Sequence, residues 1–127
     1  MKPIRLSFLA IALAAILAAC GSTSADGGSD APVTGDVRVT AAQMAFDPGT
    51  VTVTAAGEAF TIAFANEDAM PHNIAIYSDE SKSEKLFEGE MVTGGSIVYD
   101  IPALDAGEYF FDCSLHPDMT GTLVVEG

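Results

Sequence analysis

Basic residues are scarce in this chain: five lysines and arginines stand against eighteen aspartates and glutamates, giving a formal charge of −13 over 127 residues. A surface this acidic repels phosphate backbones and anionic headgroups, so nucleic acid and bare anionic lipid are poor partners and none of the former is expected. Histidine and cysteine are scarcer still, with two of each. No glycine-rich loop of the phosphate-cradling kind is present, and no serine, histidine and aspartate fall in a plausible nucleophilic order. The chain has no internal repeat, and its longest nearly unbroken apolar run, Leu6 to Ala19, is shorter than the roughly 20 residues a membrane-spanning helix needs. What remains is an acidic chain long enough for one core and too short for two.

The first residues are excluded from fold reasoning. Lys2 and Arg5 precede the Leu6 to Ala19 run, the pattern of a secretory signal, so residues 1–19 read as a signal peptide. Leu17-Ala18-Ala19-Cys20 resembles the lipobox of bacterial lipoproteins, which implies lipidation of Cys20 and an extracytoplasmic, membrane-anchored protein on the periplasmic or outer cell face. Several acyl chains, each buried CH₂ contributing about 0.8 kcal/mol, anchor a protein durably. Gly21 to Thr34 is composed of Gly, Ser, Asp, Ala, Thr and Pro with a single Val. Residues 20–35 therefore read as a lipidated cysteine and flexible tether, with a reach of roughly 20 Å. Removing the signal moves the formal charge to −15.

Residues 36–127 alternate with period two. Val37/Val39, Val51/Val53, Phe60/Ile62/Phe64, Ile74/Ile76, Ile97/Tyr99/Ile101, Tyr109/Phe111 and Leu123/Val125 each put apolar side chains on one face of a short strand. Turn residues separate them at Asp47-Pro48-Gly49, Ala56-Gly57-Glu58, Gly94-Gly95 and Asp105-Ala106-Gly107. This is the pattern of an all-β, single-domain β-sandwich of about seven to eight strands. The charged stretch Ser78 to Glu90 shows no clear period; a helix turn, a long loop and a ragged edge strand all fit it, and it is assigned to loop.

Both histidines, and the cysteine outside the leader, fall in two clusters: Pro71-His72-Asn73, and Cys113-Ser114-Leu115-His116-Pro117-Asp118-Met119. One thiolate, two imidazoles and one thioether are the ligand list of a mononuclear blue-copper electron-transfer site. Parity supports the grouping: His72 is in phase with Ile74 and Ile76, and Cys113 with Tyr109 and Phe111, so both point inward at one end of the sandwich if their strands are neighbours. Pro117 disfavours a helical backbone at His116, so a tight loop after Cys113 is expected to wrap His116 and Met119 around one point. Structural zinc is the poorer match, because it takes four strong ligands and a thioether is a weak one. A binuclear copper centre needs a second cysteine near Cys113, and there is none. Cys113 and His116 could mimic a thiol nucleophile pair, but their spacing suits shared metal ligation better, and no enzymatic turnover is expected.

Beyond the ligand residues themselves, the chain resembles the small cupredoxins of the plastocyanin and amicyanin type. The resemblance rests on Asn66 to Asn73 with its Pro-His-Asn, on Gly-x-Tyr-x-Phe-x-Cys in Gly107 to Cys113, on Gly121-x-Leu-Val-Val, and on the early Met44-Ala-Phe-Asp-Pro. It spans about Asp36 to Gly127, and its Cys-x₂-His-x₂-Met spacing matches the short ligand loop of amicyanins, whereas plastocyanins place two more residues before the methionine. The resemblance implies a cupredoxin-like Greek-key sandwich holding one type 1 copper. It also implies that Asn73 bonds toward Ser114, lacing the two ligand segments together. The His116 ring would lie near the surface within an apolar rim of Met70, Pro71, Leu115 and Pro117, where a redox partner docks.

Two functions follow as expectations. The first is a monomeric, membrane-tethered shuttle passing single electrons between redox proteins such as a c-type cytochrome, an oxidase, a reductase or a photosynthetic complex. The alternative is a copper storage, buffering or delivery protein, but the Met-rich or His-rich runs that suit exchange are absent. The leader yields a separate test. Metabolic fatty-acid labelling is expected to mark the wild-type chain and to miss Cys20→Ala; label retained by that variant would remove the anchor.

Overall fold

A computed structural model describes residues 34–127, so the expected signal peptide, Cys20 and the expected tether as far as residue 33 lie outside the described residues. Nine strands and no helix occur among them: β1 (Val37–Ala42), β2 (Ala45–Asp47), β3 (Thr50–Thr54), β4 (Phe60–Asn66), β5 (Ala75–Tyr77), β6 (Lys85–Glu88), β7 (Gly95–Ile101), β8 (Gly107–Cys113) and β9 (His116–Glu126). They form a four-stranded sheet ordered β2-β1-β4-β7 and a five-stranded sheet ordered β3-β9-β8-β5-β6. Most neighbours are antiparallel, while β1 with β4 and β3 with β9 run parallel.

The alternating residues behave as their period requires. Val39, Ile62, Phe64, Tyr99 and Ile101 from one sheet and Val51, Val53, Phe111, Leu123 and Val125 from the other are buried in one core. Phe46 of β2 stacks at a tilt on Phe111 with ring centroids 5.1 Å apart, joining the two sheets. Each such side chain, fully buried, contributes about 1.5–3 kcal/mol.

Two strands escaped the sequence pattern, which is why nine stand where seven or eight are expected. β2 has three residues, too few to display a period. β6 lies inside the stretch assigned to loop, and the structure corrects that assignment: Lys85–Glu88 is an edge strand paired with β5. Its charged ends hide the half-buried Leu86 and Phe87. The rest of the stretch is a turn whose Lys82 has a left-handed backbone (φ 56°). Its ammonium lies 5.5 Å from the Phe110 ring centre and pairs with the buried Asp112 carboxylate. This covers Tyr77 and Phe110 on the outer face, while Ile76 lies in the inner core, and Ala75, Ile76 and Tyr77 are all buried.

Gly121 faces Phe111 across the β8–β9 ladder, and a Cβ at Gly121 would stand 2.2 Å from the Phe111 ring. The ring has no free space to retreat into, because Phe46 packs against it. Gly121→Ala is therefore expected to destabilise the fold by about 1–3 kcal/mol, the usual cost of overpacking a core. Chemical denaturation measures it, and an unchanged midpoint would contradict this packing.

Candidate metal centre

Antiparallel pairing of β5 with β8 sets Ile76 against Phe111 and Ala75 against Asp112, so the chain entering β5 lies beside the chain leaving β8. His72 sits on the entering segment, where its backbone exchanges hydrogen bonds of 3.0 and 2.8 Å with Val92. Cys113 ends β8. Both side chains are fully buried, as their parity requires.

The Cys113 strand does not give way to a loop as expected. Cys113 and His116 pair directly across Ser114-Leu115, so the ligand segment is a tight hairpin and His116 opens β9. The next pair is Asp112 with Thr120, which leaves Pro117, Asp118 and Met119 bulged out of the ladder. Pro117 explains the extended backbone of His116. The bulge has a consequence for side-chain direction: His116 and Met119 are an odd number of positions apart and would face opposite sides of a regular strand. A bulge resets that parity and re-aims a side chain. Met119 is buried with Cys113 in the core, while the His116 ring is half-buried.

Three donor atoms converge. Cys113 Sγ lies 3.7 Å from His72 Nδ1 and 3.6 Å from His116 Nδ1, and the two Nδ1 atoms are 3.1 Å apart. A point in their plane is about 2.0 Å from all three, close to the roughly 2.0–2.1 Å and 2.3 Å at which imidazole nitrogen and thiolate sulfur bind a first-row metal ion. Two imidazole nitrogens and a thiolate sulfur converging on one point, with the Met119 thioether buried in the same core, match the donor chemistry of blue copper.

The supporting contacts are specific. Asn73, almost fully buried, accepts from the Ser114 amide at 2.9 Å through Oδ1, and its Nδ2 donates to the Gly89 carbonyl and to Ser114 Oγ. This is the lacing expected between Asn73 and Ser114. Ser114 Oγ donates in turn to Glu88 at 2.8 Å. Of the residues expected to form a rim around His116, Met70 and Leu115 are 52% and 55% exposed, Pro117 is exposed and Pro71 half-buried.

Asp68 was not singled out from the sequence, and Asn66 entered only as the start of the motif that carries the resemblance. Asp68 Oδ2 lies 3.0 Å from His72 Nε2. Its pKa is held below the usual carboxylate value, first by the Met44 backbone N–H and then by those of Gln43 and the His72 ring. Asn66 Nδ2 donates to the Met70 and Val92 carbonyls, while its Oδ1 accepts from the Asp68 amide. The Asn-x-Asp composition of 66–68 was the available signal, since Asn side chains often close turns on the amide two residues ahead.

Comparison with known proteins agrees with the geometry. The cupredoxin-like domain family matches residues 9–125. The chain belongs to the cupredoxin-like family. It is 34% identical to amicyanin from Paracoccus versutus over 136 aligned residues, covering 98% of this chain and 97% of that one. Among solved structures, auracyanin from Roseiflexus castenholzii shares the fold, with a TM-score of 0.62 at 22% identity over 72% of this chain and 96% of that one. A reduced Cu(I) form of an amicyanin variant superimposes with a TM-score of 0.58 at 26% identity, over 79% and 90% of the two chains. The family and the donor set make this a copper protein with one type 1 copper per chain. It transfers electrons and is not an enzyme.

Partners that orient metal ligands are typically worth 10–100-fold in metal affinity. Asn73→Ala would also orphan the Ser114 amide and the Gly89 carbonyl, at about 1–3 kcal/mol each if they stay buried. The variant is expected to lose at least tenfold in copper affinity and to unfold at lower denaturant. Competition titration against a chelator reads the first effect, and wild-type affinity would show that the lacing does not hold the ligands.

Proposed function

We propose that the protein is a membrane-tethered, extracytoplasmic electron shuttle in which His72, Cys113, His116 and Met119 hold a single copper. The observation that carries this reading is the convergence of His72 Nδ1, Cys113 Sγ and His116 Nδ1 within 3.1–3.7 Å at one pole of the sandwich. Copper supplies the one-electron couple; the chain's residues hold it, shield it and give it one path out. His72, Cys113 and Met119 are buried, and His116 is the ligand with an accessible edge. Electrons therefore enter and leave at His116, within the rim of Met70, Pro71, Leu115 and Pro117.

Met44 and Met91 are exposed as well, at 46% and 41%. Their segments are tied to this pole, through the Asp68 bond to the Met44 amide and the pairing of Val92 with His72. A short-lived redox complex needs an apolar contact that forms and breaks quickly, with charge to steer the approach. The acidic surface selects a basic redox protein of the c-type cytochrome kind. Deep burial of His72 and Cys113 opposes ready exchange of the metal and weighs against storage or delivery. Cys20 lipidation and the tether would keep the carrier at the membrane with room to reorient.

Visible absorption and electron paramagnetic resonance of the copper-loaded protein test the reading. An intense blue band with narrow copper hyperfine splitting is expected, and both should vanish in Cys113→Ser, because the colour arises from charge transfer between thiolate and Cu(II). A pale, tetragonal spectrum from the wild type would refute the ligand set. The rate of electron exchange with a basic cytochrome is expected to fall as salt screens the approach; a flat salt dependence would remove steering.

A further inference from the structure

His72 turns Nδ1 toward Cys113 and His116, so its second ring nitrogen must find a partner elsewhere. That partner is the Asp68 carboxylate, 3.0 Å from Nε2. The same carboxylate has a second task. β1 and β2 are joined by the two-residue turn Gln43-Met44, in which both residues are left-handed, with φ of 53° and 61°. Such turns favour Gly, Asn or Asp, and neither residue is one of these. Asp68 supports the turn by accepting both amides, Gln43 N at 2.7 Å through Oδ1 and Met44 N at 3.0 Å through Oδ2. Asp68 is itself fixed by Asn66, which accepts its amide at 2.9 Å. One carboxylate thus spans a surface turn and a buried ring.

We propose that Asp68 is the positioning residue for His72: it holds the proton on Nε2, presents Nδ1 to the copper, and lowers the reduction potential. The inference rests on His72 being a ligand. Two effects act in the same direction. A carboxylate accepting from the far ring nitrogen makes the imidazole a stronger donor. Its negative charge, carried to the centre through one ring, favours Cu(II) over the less charged Cu(I). A residue serving only the turn would need its two amide contacts and no approach to Nε2.

Asp68→Asn removes the charge and leaves one oxygen where the carboxylate used two. The turn is secured separately in the double variant Met44→Gly/Asp68→Asn, since glycine adopts the left-handed conformation without strain. In both variants the blue band is expected to persist, while the Cu(I)/Cu(II) balance shifts at least tenfold toward Cu(I), a rise of about 59 mV for a one-electron couple. Magnetic resonance of the Cu(I) protein gives a second readout: a slowly exchanging Nε2–H on His72 in the wild type, exchanging at least tenfold faster once Asp68 is replaced. Blue variants with an unchanged or lowered potential would overturn the proposal, as would a wild-type His72 with its proton on Nδ1. Absence of the blue band from the wild type would instead defeat the ligand assignment, so the two failures are distinguishable.

Discussion

The metal-binding pole depends on the antiparallel seam between β5 and β8. His72 and Cys113 are 41 positions apart, and only a fixed register can bring their side chains to 3.7 Å. Ile76 against Phe111 and Ala75 against Asp112 set that register, and the Asn73–Ser114 bonds close it just beyond the last pair. A slip of one residue would turn Cys113 out of the core and Asp112 into it. Both faces oppose such a slip: Phe111 is locked against Gly121 inside, and Asp112 is paired with Lys82 outside. The same packing that stabilises the sandwich thereby fixes the geometry of the centre.

The hairpin from β8 to β9 adds the other two proposed ligands and divides them by exposure. His116, directly across from Cys113, lies at the tip with its ring half-buried, whereas the bulge at 117–119 returns Met119 to the core. The thioether is therefore shielded and the imidazole edge accessible. In the proposed docking at His116, exposed apolar side chains at Met70 and Leu115 would dehydrate the contact without admitting water to the buried Cys113 sulfur. Access for electrons and exclusion of solvent follow from one short segment.

Much of this was legible in the sequence because period-two burial leaves a strong mark. Seven strands, the inward parity of His72 and Cys113, and the four donor residue types could be read from residue order. Elements governed by contacts distant in sequence could not. β2 and β6 are held by pairing rather than by an apolar pattern of their own, and Lys82 looks like a solvated charge until Asp112 is seen beneath it. Ligand loop and ligand hairpin differ by a register shift that spacing does not encode. Asp68 was invisible for a similar reason: an acidic residue in an acidic chain is unremarkable until the β1–β2 turn and the His72 ring both face it.

Each donor is restrained by protein contacts that do not involve the metal. His72 is held by its backbone pairing with Val92 and by Asp68, Cys113 by the end of β8, His116 by its place opposite Cys113, and Met119 by the core. Cu(II) favours tetragonal arrangements, whereas Cu(I) has no such demand and is content with few soft ligands. A frame held by contacts of its own would resist following either preference, and so would limit the change between the two states. Small reorganisation is what fast single-electron transfer requires, and the restraints available to provide it here are core packing and a few hydrogen bonds.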